Sequence, residues 1–548
     1  MLFSKPLPLR LCLVVFAALI IFGSCEKISS DEYDLIRDDG IEAEESMPTA
    51  QSEPETPSDE HALIRGDGAK KERAASLPKA QSAPESVAPQ SRPNIIFIFQ
   101  DDLGFGDLAC YGHPYAQTPN LDRLAAAGTI FRNFHVSGVT CNSSRTGFMT
   151  SRHPATFPNY MASFGFQGVT TITDVLKQSG YATAHVGKWP IGPKSTEKNG
   201  TYSIDHVQVL GGRKDDPQGK DSRIYAAAIK YLKHHHSIYN GTKPLYMNVW
   251  GHAAHMDVKP HANLVRKFNN VKVNEGSFIG KFMRSKFARR GDKTNGMMRN
   301  YLAEVWAMDK LIGDLLNTID ELGMTDNTIV VFSADQGPSS GAMGYSGGLR
   351  GEKLMQWEGG TRVPFIIRWP GHVPSDHINC HSAISALDYM PSLLSLLGIP
   401  FDPTEFEGEN LADVFLGNDR SRVNPIFHKV SSNNPETMRA MLYGRWKMHW
   451  NTRRNPELYD ITSNPDENIN VFSQNPYVGA AMQATLAEWD ATLPSQYAQK
   501  EWSPMREFDP ATKPIAIGPP DGCIVENNGG INNPPLHEKR CLSEVDVE

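Results

Sequence analysis

The chain has 548 residues, of which 40% are hydrophobic and 21% are charged. These proportions are those of a globular enzyme and exclude a fibrous or wholly disordered protein. The formal net charge is -8 at pH 7, and we expect no nucleic-acid partner for so acidic a chain.

The first 25 residues have the pattern of an export signal. Lys5 and Arg10 precede twelve apolar residues, 11–22, and small residues follow them. The apolar run is short for a membrane span. The sequence FGSC, ending at Cys25, resembles the end of a bacterial lipoprotein signal, in which the cysteine is acylated. We expect an exported protein, periplasmic or at the cell surface, with a lipid anchor at Cys25; a soluble exported protein is the alternative.

Two segments lack the composition of a folded core. Residues 26–91 are rich in Glu, Asp, Pro, Ser and Ala, with few aromatic residues, and predict a disordered linker. Within them residues 35–55 recur as residues 63–85, which indicates a duplicated spacer. Residues 506–548 predict an extended tail rich in Gly, Pro and Asn.

From residue 92 onwards, four short apolar runs each end in polar or charged side chains. They are PNIIFIFQDD, YATAHVGK, PLYMNVWGHAAH and NTIVVFSADQG. Such runs predict buried parallel strands, whose carboxyl ends meet at one edge of the sheet. The polar residues expected at that edge are Asp101, Asp102, Lys188, His252, His255, Asp335 and Gln336.

Helical patterns alternate with these strands. TPNLDRLAAAG, TITDVLKQSG and MRNYLAEVWAMDKLIGDLLNTIDELG have apolar residues at helical spacing. The alternation predicts an α/β fold over residues 92–425, with a doubly wound parallel sheet sandwiched by helices. Residues 426–505 contain short alternating segments and one helical pattern, which predict a smaller antiparallel-sheet subdomain.

A lone cysteine lies among hydroxyl side chains in the stretch VTCNSSRTGFMTSR. Cys141 has no CxxC partner and no histidine spaced as a zinc ligand, so neither a redox pair nor a zinc site is indicated. An inert buried thiol is the ordinary fate of such a residue.

The motifs around this cysteine resemble a known enzyme family. The stretches CNSSRTGFMTSR, HVGKW, AAH, DQGP, GEKLMQWEGGTRVPFIIRWPG and ELYDITSNPDE occur in the order and spacing of the formylglycine-dependent (type I) sulfatases. The resemblance covers roughly residues 92–480. It implies an alkaline-phosphatase-like α/β fold and a sulfuric ester hydrolase, whose substrate we expect to be a sulfated carbohydrate.

The resemblance assigns Cys141 the role of nucleophile. In the family, a formylglycine-generating enzyme oxidises this cysteine to an aldehyde, and the hydrated aldehyde attacks sulfur through one hydroxyl. Loss of the proton from the other hydroxyl then expels sulfate and restores the aldehyde, which divides one difficult hydrolysis into two steps.

The resemblance also implies a metal site. Asp101, Asp102, Asp335 and Gln336, together with the formylglycine derived from Cys141, form an all-oxygen ligand set. Such a set suits Ca²⁺, with Mg²⁺ as the alternative.

Further side chains are assigned to the substrate by the same resemblance. Arg145 is expected to orient the diol, and Lys188, Lys353 and His255 to contact the sulfate oxygens, where positive charge stabilises the breaking S–O bond. His255 or Lys353 is the candidate acid for the leaving alcohol. His252 is expected nearby as a substrate-binding residue, with its role left open.

Three positions depart from the family pattern. Ser143 stands where the family has Pro or Ala, Pro190 follows GKW where it has His, and Gln336 stands where it commonly has Asn. Two alternatives therefore stay open: a phosphate mono- or diester hydrolase of the same superfamily, and a catalytically impaired lipoprotein that binds sulfated glycan.

Residues 265–300 hold ten Lys or Arg and two acidic residues. This run is either a solvated loop or a rim that attracts a sulfated polysaccharide. The side chains assigned to the rim are Arg284, Lys286, Arg289 and Arg290.

Overall fold

The computed structural model describes residues 92–497, apart from 160, 167, 431–433 and 435. The predicted signal with Cys25, the linker and the tail lie outside the described residues. The boundary between the two predicted domains, at residues 425 and 426, stays a prediction. Among the described residues, no helix is both long enough and apolar enough to cross a membrane.

The strands follow one another along the chain with helices between many of them. They are β1 (Asn94–Gln100), β2 (Thr129–Phe131), β3 (Phe134–His135), β4 (Ala182–Gly187), β5 (His206–Val209), β6 (Leu245–Trp250), β7 (Thr328–Ala334), β8 (Phe365–Arg368), β9 (His377–Asn379), β10 (Ile384–Ser385), β11 (Ile426–Lys429), β12 (Arg439–Tyr443), β13 (Trp446–Asn451) and β14 (Arg454–Asp460).

The helices range from single turns to one of 28 residues. They are α1 (Pro119–Ala126), α2 (Cys141–Thr150), α3 (Met161–Phe164), α4 (Ile172–Gln178), α5 (Ser222–Tyr239), α6 (Ala262–Val265), α7 (Lys281–Arg290), α8 (Thr294–Glu321), α9 (Glu358–Thr361), α10 (Tyr389–Leu396), α11 (Ala412–Phe415) and α12 (Pro476–Thr492).

The large sheet has eight strands in the order β5-β4-β6-β1-β7-β8-β2-β9. The first five are parallel to one another, whereas β8 runs antiparallel to both β7 and β2. All residues of β1, β4, β6 and β7 are buried, as expected for strands covered on both faces. The α/β prediction is confirmed, and the antiparallel β8 makes the sheet mixed.

A separate antiparallel sheet, β11-β12-β13-β14, follows in the last part of the described chain. Helix α12 packs on it, with Met482, Leu486 and Trp489 against Met441 and Met448. This arrangement is the small subdomain that the alternating segments predict.

The register of the central strands places their carboxyl ends level with one another. In β1, Phe99 pairs with Trp250 of β6, and Gln100 pairs with Ala334 of β7. The residues that follow these three strands therefore leave the sheet at the same edge, where the sequence predicts the polar side chains of the candidate site.

Candidate active site

The three aspartates of the site come from the ends of β1 and β7. Asp101 and Asp102 follow β1, and Asp335 follows β7. Consecutive residues of a strand point to opposite faces, but Asp102 has a left-handed φ of 56°, a conformation that Asp tolerates better than most residues. Its backbone N–H donates to Asp335 Oδ1 at 3.0 Å. The turn therefore brings both neighbouring carboxylates to the carboxylate from β7.

Cys141 is the first residue of α2 and is buried beside these carboxylates. Its Sγ donates to Asp101 Oδ1 at 3.2 Å, and Lys188 Nζ and Lys353 Nζ donate to Sγ at 3.5 and 3.7 Å. The start of a helix favours negative charge because its first N–H groups have no partners within the helix. An anion formed at position 141 would thus be stabilised by the helix and by two ammonium groups.

Arg145 lies one turn after Cys141, so both side chains are on the same face of α2. Its guanidinium is fully buried and donates to Asp335 Oδ2 through Nη2 at 2.8 Å and Nε at 3.2 Å. The rings of Phe99 and Trp250 lie 4.8 and 4.9 Å from its Cζ. Arg145 is therefore held rigidly beneath the nucleophile position.

Lys188 and Lys353 reach the site from different segments. Lys188 follows β4, and its Nζ pairs with Asp101 Oδ2; Lys353 Nζ lies 2.9 Å from Asp102 Oδ1. Despite the opposing effect of burial, these carboxylates raise the pKa of each lysine above its ordinary value. Both lysines therefore carry positive charge at the position expected of sulfate-binding groups.

The two predicted histidines differ in what their rings contact. One ring nitrogen of His255 lies within 4.8 Å of both the thiol of Cys141 and a carboxylate oxygen of Asp101, and its Nε2 is 3.8 Å from Asp102 Oδ2. The ring of His252 instead bonds to the carbonyl of Leu210 through Nε2 at 3.1 Å. The structure thus brings His255 into the cluster, whereas His252 adjoins it with its ring held by the backbone.

The donor set fits a hard divalent cation. One carboxylate oxygen from each of Asp101, Asp102 and Asp335 lies within 4.8 Å of the others. Gln336 is fully buried beside them, and its Oε1 has no hydrogen-bond partner within the described part of the chain, while its Nε2 donates to Asp102. Carboxylate and amide oxygens are the ligands that Ca²⁺ and Mg²⁺ prefer, and an unpartnered buried oxygen is the kind of atom that such an ion satisfies.

Burial and neighbouring charge act in opposite directions within this cluster. Burial opposes ionisation of Asp101, but the positive charges of Lys188 and His255 outweigh it and hold the pKa of this carboxyl well below its usual range. Burial and the charge of Asp101 together raise the pKa of Asp335. Three converging carboxylates cannot all ionise at low cost without added positive charge.

The basic run is only partly exposed. Lys286, on α7, is buried and pairs with Glu352 Oε2 at 2.9 Å, so its assignment to an exposed rim is wrong. Arg290 is half-buried and donates to the carbonyl of Ser340 at 2.6 Å. Arg284 and Arg289 are exposed on the same helix. Since these bonds fasten α7 to the segment that leads into Lys353, the exposed arginines lie on a helix attached to the site.

Sequence reasoning missed a group that contacts the segment after β6. Asp221, just before α5, accepts the backbone N–H groups of His252 and Ala253 at 2.9 and 3.0 Å. Lys220 donates to the carbonyl of His255 and pairs with Glu304 of α8. An adjacent Lys and Asp at a helix start is an ordinary surface pattern, so no sequence signal distinguishes these buried residues.

The chain is similar to known proteins both in sequence and in fold. Residues 93–399 match the sulfatase family, and residues 350–491 match the family described as N-sulphoglucosamine sulphohydrolase, C-terminal. Arylsulfatase A from Homo sapiens is 30% identical over 477 residues, covering 75% of this chain and 91% of the relative. An N-acetylgalactosamine-6-O-sulfatase from Bacteroides thetaiotaomicron is 29% identical over 478 residues, covering 71% and 91%. A structure solved with k-i-k-neocarrahexaose shares the fold, with a TM-score of 0.63 at 22% identity, covering 75% and 95%.

Proposed function

This chain belongs to the sulfatase family, and we propose that it hydrolyses sulfate esters of a carbohydrate with a formylglycine made from Cys141. Membership of the family implies a sulfuric ester hydrolase, a metal ion and formylglycine in general. The observation that carries the proposal is the position of Cys141 at the start of a helix, with two lysine ammonium groups within 3.7 Å of its Sγ. Such an environment favours an anionic oxygen nucleophile over an inert thiol.

The side chains around Cys141 take separate roles. Arg145 holds the nucleophile in place, because its guanidinium is fixed by Asp335 and cannot turn into solvent. Lys188 and Lys353 bind the sulfate oxygens, where their charge stabilises the transition state more than the ground state. The formylglycine supplies a geminal diol, whose second hydroxyl provides a route for releasing the sulfate.

Asp101, Asp102, Asp335 and Gln336 would hold a divalent cation, together with the residue derived from Cys141. We assign Ca²⁺ as the ion, with Mg²⁺ as the alternative, since the set supplies only oxygens and both ions prefer oxygen ligands. When bound, the ion would supply positive charge to the sulfate and to the nucleophile.

His255 is the residue we assign to protonate the leaving alcohol. Its Nδ1 bonds to the carbonyl of Met256, which can only accept, so Nδ1 carries the proton and Nε2 faces the cluster. In its protonated form Nε2 can give a proton to a sugar alkoxide, which is a poor leaving group without an acid. Of the two candidate acids, His255 and Lys353, we therefore assign the histidine to this step. His252 supports the neighbouring wall of the substrate site.

Two observations support a carbohydrate substrate. The relative from Bacteroides thetaiotaomicron is a sulfatase of N-acetylgalactosamine by its name. In this chain, Lys281, Arg284 and Arg289 are exposed on α7, and we refer to these three residues as the basic face of α7. A basic surface next to an active site increases the encounter rate with a polyanion, as expected for a sulfated polysaccharide.

The nucleophile is tested by mass spectrometry and sulfate release. The chain is expressed with a formylglycine-generating enzyme, and the tryptic peptide from Asn133 to Arg145 is examined for an aldehyde in place of the thiol. We expect the aldehyde, and release of inorganic sulfate from sulfated carbohydrates by the parent and not by the Cys141→Ala variant. An intact thiol, or equal sulfate release by both proteins, would contradict the proposal.

The basic face of α7 is tested with two substrates. Replacing Arg284 and Arg289 by Gln is expected to lower kcat/KM on a sulfated polysaccharide by about tenfold at low salt, since steering acts through charge. Turnover of a small aryl sulfate should stay within about twofold. Lys230 and Lys233, exposed on α5, supply the matched control as a double Gln variant. Equal losses on both substrates would refute the role of the basic face.

Export and lipid attachment rest on the N-terminal sequence. We propose acylation at Cys25, tested by labelling cells with a radioactive fatty acid. Label in the parent and none in the Cys25→Ser variant supports an anchor, whereas an unlabelled parent recovered in the periplasm or medium supports the soluble exported form.

A further inference from the structure

Two adjacent residues, Lys220 and Asp221, form hydrogen bonds with the backbone of the segment that carries both site histidines. We call residues 252–257 the 252–257 loop. At its start, the Asp221 carboxylate accepts the backbone N–H groups of His252 and Ala253, one on each oxygen. Towards its end, Lys220 Nζ donates to the backbone carbonyls of His255 and Asp257, at 2.5 and 3.2 Å. One anion therefore satisfies two backbone donors of this loop, and one cation satisfies two of its backbone acceptors.

Lys220 is itself held from the opposite side by a buried carboxylate. Glu304 of α8 pairs with Lys220, and their side chains are 2% and 7% exposed. Burying two charges is costly unless their geometry is fixed by further bonds, and here those bonds are to the loop backbone.

His255 depends on this backbone for its place in the site. Its side chain is 19% exposed, and its Nε2 lies 3.8 Å from Asp102 Oδ2. The ring is anchored by Nδ1 to the carbonyl of the next residue, Met256. A movement of the loop would therefore move the ring by a similar amount.

We propose that Lys220 and Asp221 are positioning residues, which hold the 252–257 loop and so set the distance of His255 from the reacting sulfate ester. The inference rests on the function proposed above for His255. Neither residue touches the substrate; both act through the loop. A displacement of about 1 Å in a catalytic group can cost about 100-fold in rate, so the effect is measurable.

The test is a double-mutant cycle with two classes of substrate. Lys220→Met keeps the aliphatic stem and removes the ammonium group. We expect kcat/KM to fall about 100-fold on a sugar sulfate and less than about fivefold on an aryl sulfate of an acidic phenol, which leaves without protonation. In a His255→Gln background, the same change should cost less than about threefold, because the residue it positions is already gone.

The matched control uses a second lysine at the same loop. Lys214 Nζ lies 2.8 Å from Asp257 Oδ2, but both side chains are nearly half exposed and the contact does not involve the loop backbone. Lys214→Met should stay within about twofold of the parent on both substrates. If Lys220→Met does not fold, Asp221→Asn gives the same comparison with about a tenfold selective loss.

The outcomes separate this inference from the proposed function. An equal loss on both substrates, or an undiminished loss in the His255→Gln background, would overturn the positioning role and indicate a general structural one. If the parent cleaves aryl sulfates but no sugar sulfate, the carbohydrate assignment fails. The cycle is then measured on a series of aryl sulfates whose phenols differ in pKa. If kcat/KM falls more steeply with phenol pKa in Lys220→Met than in the parent, the result supports the positioning role; an unchanged slope refutes it.

Discussion

Lys447 joins the small sheet to the segment that carries an active-site lysine. It lies on β13 with its side chain fully buried, and its Nζ is 2.6 Å from Glu358 Oε1 and 3.7 Å from Glu467 Oε1. Both carboxylates are also fully buried. Glu358 begins α9, a few residues after Lys353. Replacing Lys447 by Met would leave Glu358 with only more distant partners, Arg362 Nη1 at 3.6 Å and His135 Nδ1 at 3.7 Å, and would leave Glu467 with His449.

The size of the effect follows from this burial. Removing one partner of a buried ion pair costs about 3–5 kcal/mol. The roughly 400 residues described have an unfolding entropy of about 0.85 kcal/mol/K, at about 2.1 cal/mol/K per residue. We therefore expect Lys447→Met to lower Tm by about 4–6 °C at neutral pH.

The loss should also depend on pH. Burial would raise the pKa of Glu358, but Lys447 and other cations lower it from 4.5 to about 2. In the parent, the stability from this carboxylate is present above pH 4.5 and is lost as the pH falls through about 2. Without Lys447, the pKa of Glu358 in the folded state rises. The ionised carboxylate then destabilises the folded variant, most strongly at high pH. The difference in Tm between parent and variant should be larger at pH 8 than at pH 5.

Thermal unfolding followed by circular dichroism measures both effects, and a second lysine of the small sheet provides the control. Lys429 Nζ is 2.6 Å from Asp490, which keeps Arg439 Nε at 2.8 Å when the lysine is removed. Lys429→Met should therefore cost less than about 2 °C, since Asp490 is 18% exposed and keeps its cation at 2.8 Å, whereas Arg362, the cation left to the fully buried Glu358, is 3.6 Å away. A drop below about 1 °C in Lys447→Met, or one equal at both pH values, would refute the reasoning.

Three further results are expected from the same geometry. Ca²⁺ at about 100 times its Kd should stabilise the parent by about 2.7 kcal/mol, seen as a higher Tm, and Asp102→Asn should remove this shift. Gly187→Ala should lower Tm by several degrees and reduce kcat, because φ is 116° there and a Cβ would lie 2.0 Å from the carbonyl of Trp250; an unchanged Tm would contradict this. Burial lowers the pKa of His153 to about 3, so the stability that its neutral ring gives to the folded state is present above pH 6.5 and is lost as the pH falls towards 3. Between pH 7 and 5, the Tm of His153→Gln should therefore fall less than the Tm of the parent.

Much of the site could be predicted because it lies at strand ends. The apolar runs before Asp101 and Asp335 indicate buried parallel strands, and parallel strands place their carboxyl-terminal residues at one edge. The family, the α/β fold and the sulfuric ester hydrolase are confirmed. The site could be predicted from local sequence because each apolar run is followed directly by the polar residues that lie at the edge of the sheet.

The remainder depends on pairs that are far apart in sequence. Lys286 meets Glu352 and Lys220 meets Glu304, and no local pattern marks these lysines as buried, since lysine is ordinarily exposed. The antiparallel direction of β8 is a further example, because a short apolar run does not indicate in which direction the strand runs relative to its neighbours. Tertiary packing, rather than the periodicity of the sequence, determines the burial of these lysines and the direction of this strand.

The departure at Ser143 bears on whether the site is catalytic. Ser143 Oγ donates to the carbonyl of Thr140 at 2.9 Å and accepts the N–H of Thr140 at 3.3 Å, which closes the first turn of α2. A proline would fix the same turn through its locked φ, so the serine achieves by hydrogen bonding what the ring achieves by geometry. Cys141 thereby keeps its place at the helix start, and Arg145 keeps its bond to Asp335. The serine at this position is therefore compatible with the nucleophile role that we propose for Cys141.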